Sequence, residues 1–197
     1  MKKILMVGTG GTIASEMTAE GLAPELNTEQ LLEFIPDIGK FCRVDCLQLY
    51  NLDSTNIRPA DWLGVADILH KSYDAYDGFV ISHGTDTMAY TAAALSYLVQ
   101  GSAKPIVLTG AQKPIWFDGT DCRGCGGVQI VFNGKVILGT RARKTFSKSF
   151  QAFSSVNYPD LAVLQDERLL QYIRTESLPR PVFYDKLCEN VGLLKLI

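Results

Sequence analysis

The stretch KKILMVGTGGTIAS (residues 2–15) opens the chain with a short apolar run that empties into clustered glycines. A buried strand that ends in a glycine turn is the first step of an α/β sheet. The same pattern often cradles a dinucleotide phosphate, but that fingerprint wants glycine at its first, third and sixth places. Here Gly8 and Gly10 fill the first two and Ile13 takes the last. Asp45 is also poorly placed as an acidic ribose partner. The glycines and Thr12 are therefore read as serving some other ligand.

Working outward, the pattern repeats. EMTAEGLAP (16–24) is polar and small and reads as a surface loop. TEQLLEFIP (28–36) is a helix capped by Thr28 and stopped by proline, and CRVDCLQLY (42–50) is a strand. Pro59 starts a helix through His70 that places Trp62, Ala66 and Leu69 on one face. DGFVIS (77–82) is a buried strand ending in HGTDTMAY (83–90), an alanine-rich helix runs on to about Val99, and KPIVLTG (104–110) is the next strand. Strand, polar turn, helix, strand is the grammar of a mostly parallel sheet flanked by helices, an α/β fold. VQIVFNGKVIL (128–138) places Asn133-Gly134 between two β-rich runs, which predicts a hairpin near 128–140.

In such a sheet, ligands gather at the carboxyl ends of the strands. That rule brings Thr12, Ser54, Thr55, Thr85, Asp86 and Ala111 to one edge. A threonine hydroxyl attacks an electrophile only when a base takes its proton and donors stabilise the oxyanion. Thr85 adds a second hydroxyl, Asp86 an anion, and Lys144 in RARKT (141–145) an amine, so Thr-Asp-Lys can form a proton relay. A solvated lysine in a basic run is the competing reading of Lys144. Of the two histidines, His83 at a strand end is read as a local hydrogen-bonding residue rather than a base, and His70 as a helix-surface residue.

Composition excludes several classes. With 197 residues, 47% hydrophobic and 20% charged, and a net charge of −2, the chain is a globular protein with no basic surplus for nucleic acid or anionic membrane. No export signal or spanning segment is read from it, and five cysteines are expected to be reduced thiols of a cytoplasmic protein. Cys122 and Cys125 have redox or zinc spacing, but one pair is half a zinc site at best, so no metal and no cofactor is expected.

GTGGTIAS (8–15) together with HGTDTM (83–88) resembles the two signature motifs of the bacterial-type L-asparaginases, amidohydrolases related also to an archaeal glutamyl-tRNA amidotransferase subunit. The resemblance continues through VLTGAQ (107–112), GTRARKTFSKSF (139–150) and FSSVNY (153–158), nearest the cytoplasmic type I branch. It implies a Rossmann-like amino-terminal domain over 1–184, with 185–197 as linker and the start of a carboxyl-terminal domain. It also implies Thr12 as the nucleophile that attacks the side-chain amide of L-asparagine, or L-glutamine, expels ammonia and leaves an acyl-enzyme. Thr85, Asp86 and Lys144 match the second threonine and its partners. Asp53, Ser54 and Thr55 match the loop that holds the substrate carboxylate, Asp86 would meet its ammonium, and Ala111 would add backbone contacts. Full-length relatives are implied to be homo-oligomers, dimers or tetramers, in which the carboxyl-terminal domain completes a neighbour's site.

Two departures stand out within the chain. Leu22 stands where family members place a tyrosine in the loop after the nucleophile. WFDGTDCRGCGGVQI (116–130) joins almost directly two segments that family members separate by a full helix. A parallel crossover takes about a dozen residues or more, so loss of that helix predicts uncovered apolar sheet surface. The shortened chain is alternatively a catalytically silent association module or fragment.

Overall fold

The computed structural model describes residues 1–10, 15–18, 21–24, 28–33, 36–110, 124–147, 149, 151–165 and 168–192. In chain order the strands are β1 (Lys2–Gly8), β2 (Ser15–Thr18), β3 (Gly21–Pro24), β4 (Cys42–Gln48), β5 (Gly78–Ser82), β6 (Val99–Gln100) and β7 (Pro105–Thr109), followed by β8 (Gly127–Phe132), β9 (Lys135–Leu138), β10 (Ala142–Lys144), β11 (Phe153–Ser155), β12 (Ala162–Gln165), β13 (Arg168–Gln171) and β14 (Val182–Phe183). The helices are α1 (Thr28–Glu33), α2 (Pro59–Ser72) and α3 (Met88–Leu98).

Eight strands form one sheet in the order β13-β12-β9-β8-β7-β5-β1-β4. The strands β4, β1, β5, β7 and β8 run parallel, and β9, β12 and β13 extend the sheet by antiparallel pairing. The sheet is thus mostly parallel, as the strand-turn-helix pattern predicts. Asn133 (φ 48°) and Gly134 (φ 75°) form the two-residue turn between β8 and β9, the left-handed pair that a tight hairpin demands.

Register explains the core. Leu5 pairs with Phe79, Phe79 with Ile106 and Ile106 with Val128, while Val7, Ile81, Leu108 and Ile130 make the next row on the same face. Helices α2 and α3 both lie on that face, through Val65, Ala66 and Leu69 and through Met88, Ala92, Leu95 and Leu98. A fully buried Leu or Ile contributes about 1.5–3 kcal/mol, so these two rows dominate the stability of the sheet. On the other face Val107, Val131 and Val136 pack with Leu161 and Ala162, and Tyr158 and Ile173 close over them.

This second cluster corrects the expectation of bare sheet around the short linker. The apolar side chains of β7 and β8 on this face are buried: Val107 is 5% exposed and Val131 0%. Most of the linker itself, with Cys122 and Ala111, lies outside the described residues.

Other differences are local. The stretch after Ser15 forms an antiparallel hairpin of β2 and β3 rather than an irregular loop; nothing in its polar composition signals the pairing. His70 lies exposed on α2, as expected, and its ring stacks on Phe183 of β14 at 4.4 Å. Thr28, expected as a cap, is buried, and its backbone N–H donates to Gln48 Oε1 at 3.0 Å. Cys42, Cys46 and Cys188 are free thiols, and burial pushes those of Cys42 and Cys46 up, away from reactive thiolate.

Candidate active site

The carboxyl ends of β1, β5 and β7 are laced together. Thr9 N–H and Oγ1–H both donate to Ser82 O, at 3.1 and 2.8 Å, and His83 N–H donates to Thr109 O at 3.0 Å. The turn after β4 joins the same edge when Leu52 N–H donates to Thr9 O at 3.0 Å. This approach is close enough that a Cβ on Gly10 would stand 2.4 Å from the Leu52 backbone N and O, and Gly10 has φ +98°. Only glycine satisfies both demands. Thr12 follows two residues later and lies outside the described residues, as does Ala111 beyond Thr109 and Gly110.

Lys144 reaches this edge from the far side of the hairpin. The turn Gly139–Arg141 nests on α3, where a Cβ on Gly139 would meet Ser96 Oγ at 2.6 Å and Ala92 O at 3.0 Å. Strand β10 then pairs with β11, with Lys144 opposite Phe153. Its Nζ donates to Thr85 Oγ1 at 2.9 Å and to Asp86 Oδ1 at 2.6 Å. The Lys144 side chain is 18% exposed and that of Asp86 60%, so the amine is recessed behind a carboxylate that faces solvent. An ammonium has donors and no acceptor, hence Thr85 accepts from Lys144 and its own proton is directed at some other group. Lys144 is thus paired and partly buried rather than fully solvated.

The 53–56 turn lies next to the loop. Thr87 Oγ1–H donates to Ser54 O at 2.7 Å, which ties Ser54, itself 3% exposed, to the Thr85–Asp86 turn. Asp53 caps the turn by accepting from Thr55 N–H and Oγ1–H, both at 2.8 Å. Those two Thr55 bonds hold the Asp53 carboxyl below its ordinary range, against a smaller opposing effect of burial. Of the residues singled out in the sequence, the structure therefore brings Thr85, Asp86 and Lys144 into direct contact and sets Asp53, Ser54 and Thr55 beside them.

Reading the sequence missed Thr87 and Thr91. Thr91 Oγ1 lies 2.9 Å from His83 Nε2 and accepts from Trp62 Nε1–H at 2.9 Å. A hydroxyl one turn into a helix that follows a candidate-site strand end was the available signal. Trp62 was legible only as an apolar face residue.

Against known families, the chain matches the description "Asparaginase, N-terminal" over residues 3–124 and 122–176. The two stretches meet inside the short linker. An L-asparaginase of Thermococcus kodakarensis is 36% identical over 209 residues, covering 98% of this chain and 63% of that protein. A glutamyl-tRNA(Gln) amidotransferase component from Metallosphaera sedula is 30% identical, covering 90% of this chain and 46% of that one. Among solved structures, the thermostable L-asparaginase from Thermococcus kodakarensis superposes with TM-score 0.80 at 34% identity, over 94% of this chain and 61% of its own. The chain thus spans less than two thirds of the length of these relatives.

Proposed function

Because this chain belongs to the asparaginase amino-terminal family, we infer that it is an amidohydrolase that converts L-asparagine and water to L-aspartate and ammonia. The observation that carries the reading is Lys144 bonded at once to Thr85 and Asp86 at the carboxyl edge of the sheet. Thr12 Oγ adds to the side-chain amide carbon as its proton passes by way of Thr85 to Lys144, which enters this step as the neutral amine. The C–N bond then breaks, ammonia leaves with that proton, and an aspartyl ester remains. Water held at Thr85 and Lys144 adds to the ester, and its cleavage returns the proton to Thr12. Ser54 and Thr55 belong to the turn that holds the substrate carboxylate, with Asp53 shaping that turn by accepting from Thr55; Asp86 receives the substrate ammonium, and backbone at Ala111 contacts the amide. The names of the relatives support asparagine as substrate, and the amidotransferase relative makes glutamine the competitor to compare.

Ammonia release from L-asparagine and L-glutamine tests this directly. Turnover is expected from the intact chain, or on supplying the carboxyl-terminal part of a relative, and is expected to vanish with Thr12→Ala. Absence of Thr12-dependent turnover in every form overturns it. The short linker in which the two matched stretches meet favours a second reading, a silent module that associates with a complete subunit. In that case an intact chain without turnover would still co-migrate with such a subunit in size-exclusion chromatography.

A further inference from the structure

His83 is 1% exposed, and both of its ring nitrogens are engaged. Nδ1 lies 2.7 Å from Gly84 O and Nε2 lies 2.9 Å from Thr91 Oγ1. A carbonyl oxygen only accepts, so Nδ1 must carry the proton. Burial pushes the imidazole pKa down, leaving the ring neutral and Nε2 an acceptor. Thr91 Oγ1 must therefore donate to Nε2. Its lone pairs then serve the indole of Trp62, whose Nε1–H can only donate.

One arrangement of protons satisfies every atom: Trp62 to Thr91, Thr91 to His83, His83 to Gly84 O. All three bonds point the same way, so each polarises the next. The series begins on α2, passes through α3 and ends on the carbonyl immediately before Thr85 and Asp86. The His83 backbone N–H is meanwhile tied to Thr109 O on β7.

We propose that His83, held as its Nδ1–H tautomer by Trp62 and Thr91, is a positioning residue that fixes the Gly84 carbonyl and so aims Thr85 and Asp86 at Lys144. Its effect on turnover rests on the function proposed above, whereas its effect on the turn does not. The ring does not exchange protons with substrate, since neither nitrogen has a further direction free.

Imidazole 15N–1H correlation spectra of the intact chain at neutral pH test the tautomer: the proton is expected on Nδ1, and a proton on Nε2 overturns the proposal. Thr91→Val removes the donor to Nε2 while keeping the shape of the side chain. It is expected to move the Gly84, Thr85 and Asp86 amide signals and, in an active preparation, to lower kcat about tenfold with KM little changed. Thr91→Ser, which keeps the hydroxyl, should restore both. Trp62→Phe offers a milder cut at the outer end of the series and should shift the same signals less. Amide signals of the turn unmoved by Thr91→Val and Trp62→Phe would refute the positioning role. If the unaltered chain hydrolyses no amide, the functional reading falls, and the tautomer and amide signals still decide this one.

Discussion

Two regions of the sheet carry nearly the same chemistry and are not equivalent. At the carboxyl edge Lys144 meets Asp86 with the hydroxyl of Thr85 alongside. Toward the amino-terminal ends of the strands, Lys3 Nζ lies 2.9 Å from Asp45 Oδ2, and Tyr76 O–H donates to the same oxygen at 3.0 Å. Each is an amine, a carboxylate and a hydroxyl. The second trio is closed on itself: Lys3 also sits 4.4 Å over the Tyr76 ring, and Arg43 Nε takes the other Asp45 oxygen at 3.3 Å. The first trio leaves a carboxylate toward solvent and a hydroxyl proton to spend. It also stands where the turns after β1, β4 and β5 converge. Residue types alone do not make a site; polarity left over at a convergence of loops does.

The largest contrast is in turnover. Lys144→Met is expected to cut ammonia release from L-asparagine by about 10²-fold or more, whereas Lys3→Met leaves it within about twofold. Equal losses measured by a coupled ammonia assay would erase the distinction between the edges.

Backbone packing should separate them next. Gly10→Ala places a Cβ against Leu52 at a positive φ and is expected to cost about 1–3 kcal/mol in urea unfolding. Gly39→Ala, preceding β4 with nothing within 4 Å of a Cβ, should cost under about 1 kcal/mol. A similar midpoint for the two variants would show that the turn at Gly10 is not constrained.

Titration divides the edges by pH window. His83 has a lowered folded pKa, so the unfolded chain takes a proton that the folded chain refuses. Its contribution makes stability fall as pH drops below about 6.5, by at most about 1.4 kcal/mol per pH unit. His83→Gln should flatten the stability profile between about pH 6.5 and 5. Asp45 is the opposite case: hydrogen bonds from Lys3 and Tyr76 depress its carboxyl. Any stability it adds is present above about pH 3.9 and disappears as pH falls through its lower folded value, the smallest effect of the set. Unfolding curves of Asp45→Asn against the unaltered chain should therefore differ by a constant amount from pH 7 to about pH 5 and converge in stronger acid.

Much of this was legible in the sequence because it rests on local rules. Apolar runs ending in glycine or in HGTDT announce strands and turns, Pro59 announces α2, and Asn133-Gly134 announces the hairpin. The short strands β12 to β14 were not, since four residues such as RLLQ (168–171) alternate too briefly to be read, and their pairing depends on sheet edges built elsewhere. The site divides the same way. Thr85 and Asp86 follow from strand position, but the approach of Lys144 depends on Gly139 lying flat against α3, a packing fact without a local signature. The Trp62–Thr91–His83 series spans 29 and 8 residues of sequence, and no periodicity links an indole on one helix to a hydroxyl on the next.

The central claim is a threonine ester at the carboxyl edge, and acid-quenched peptide mass spectrometry after mixing with L-asparagine tests it most directly. An aspartyl adduct on the peptide that contains Thr12, absent from the Thr12→Ala variant, is the expected result. An adduct on Thr85 instead, or ammonia released with no threonine ever modified, would contradict it.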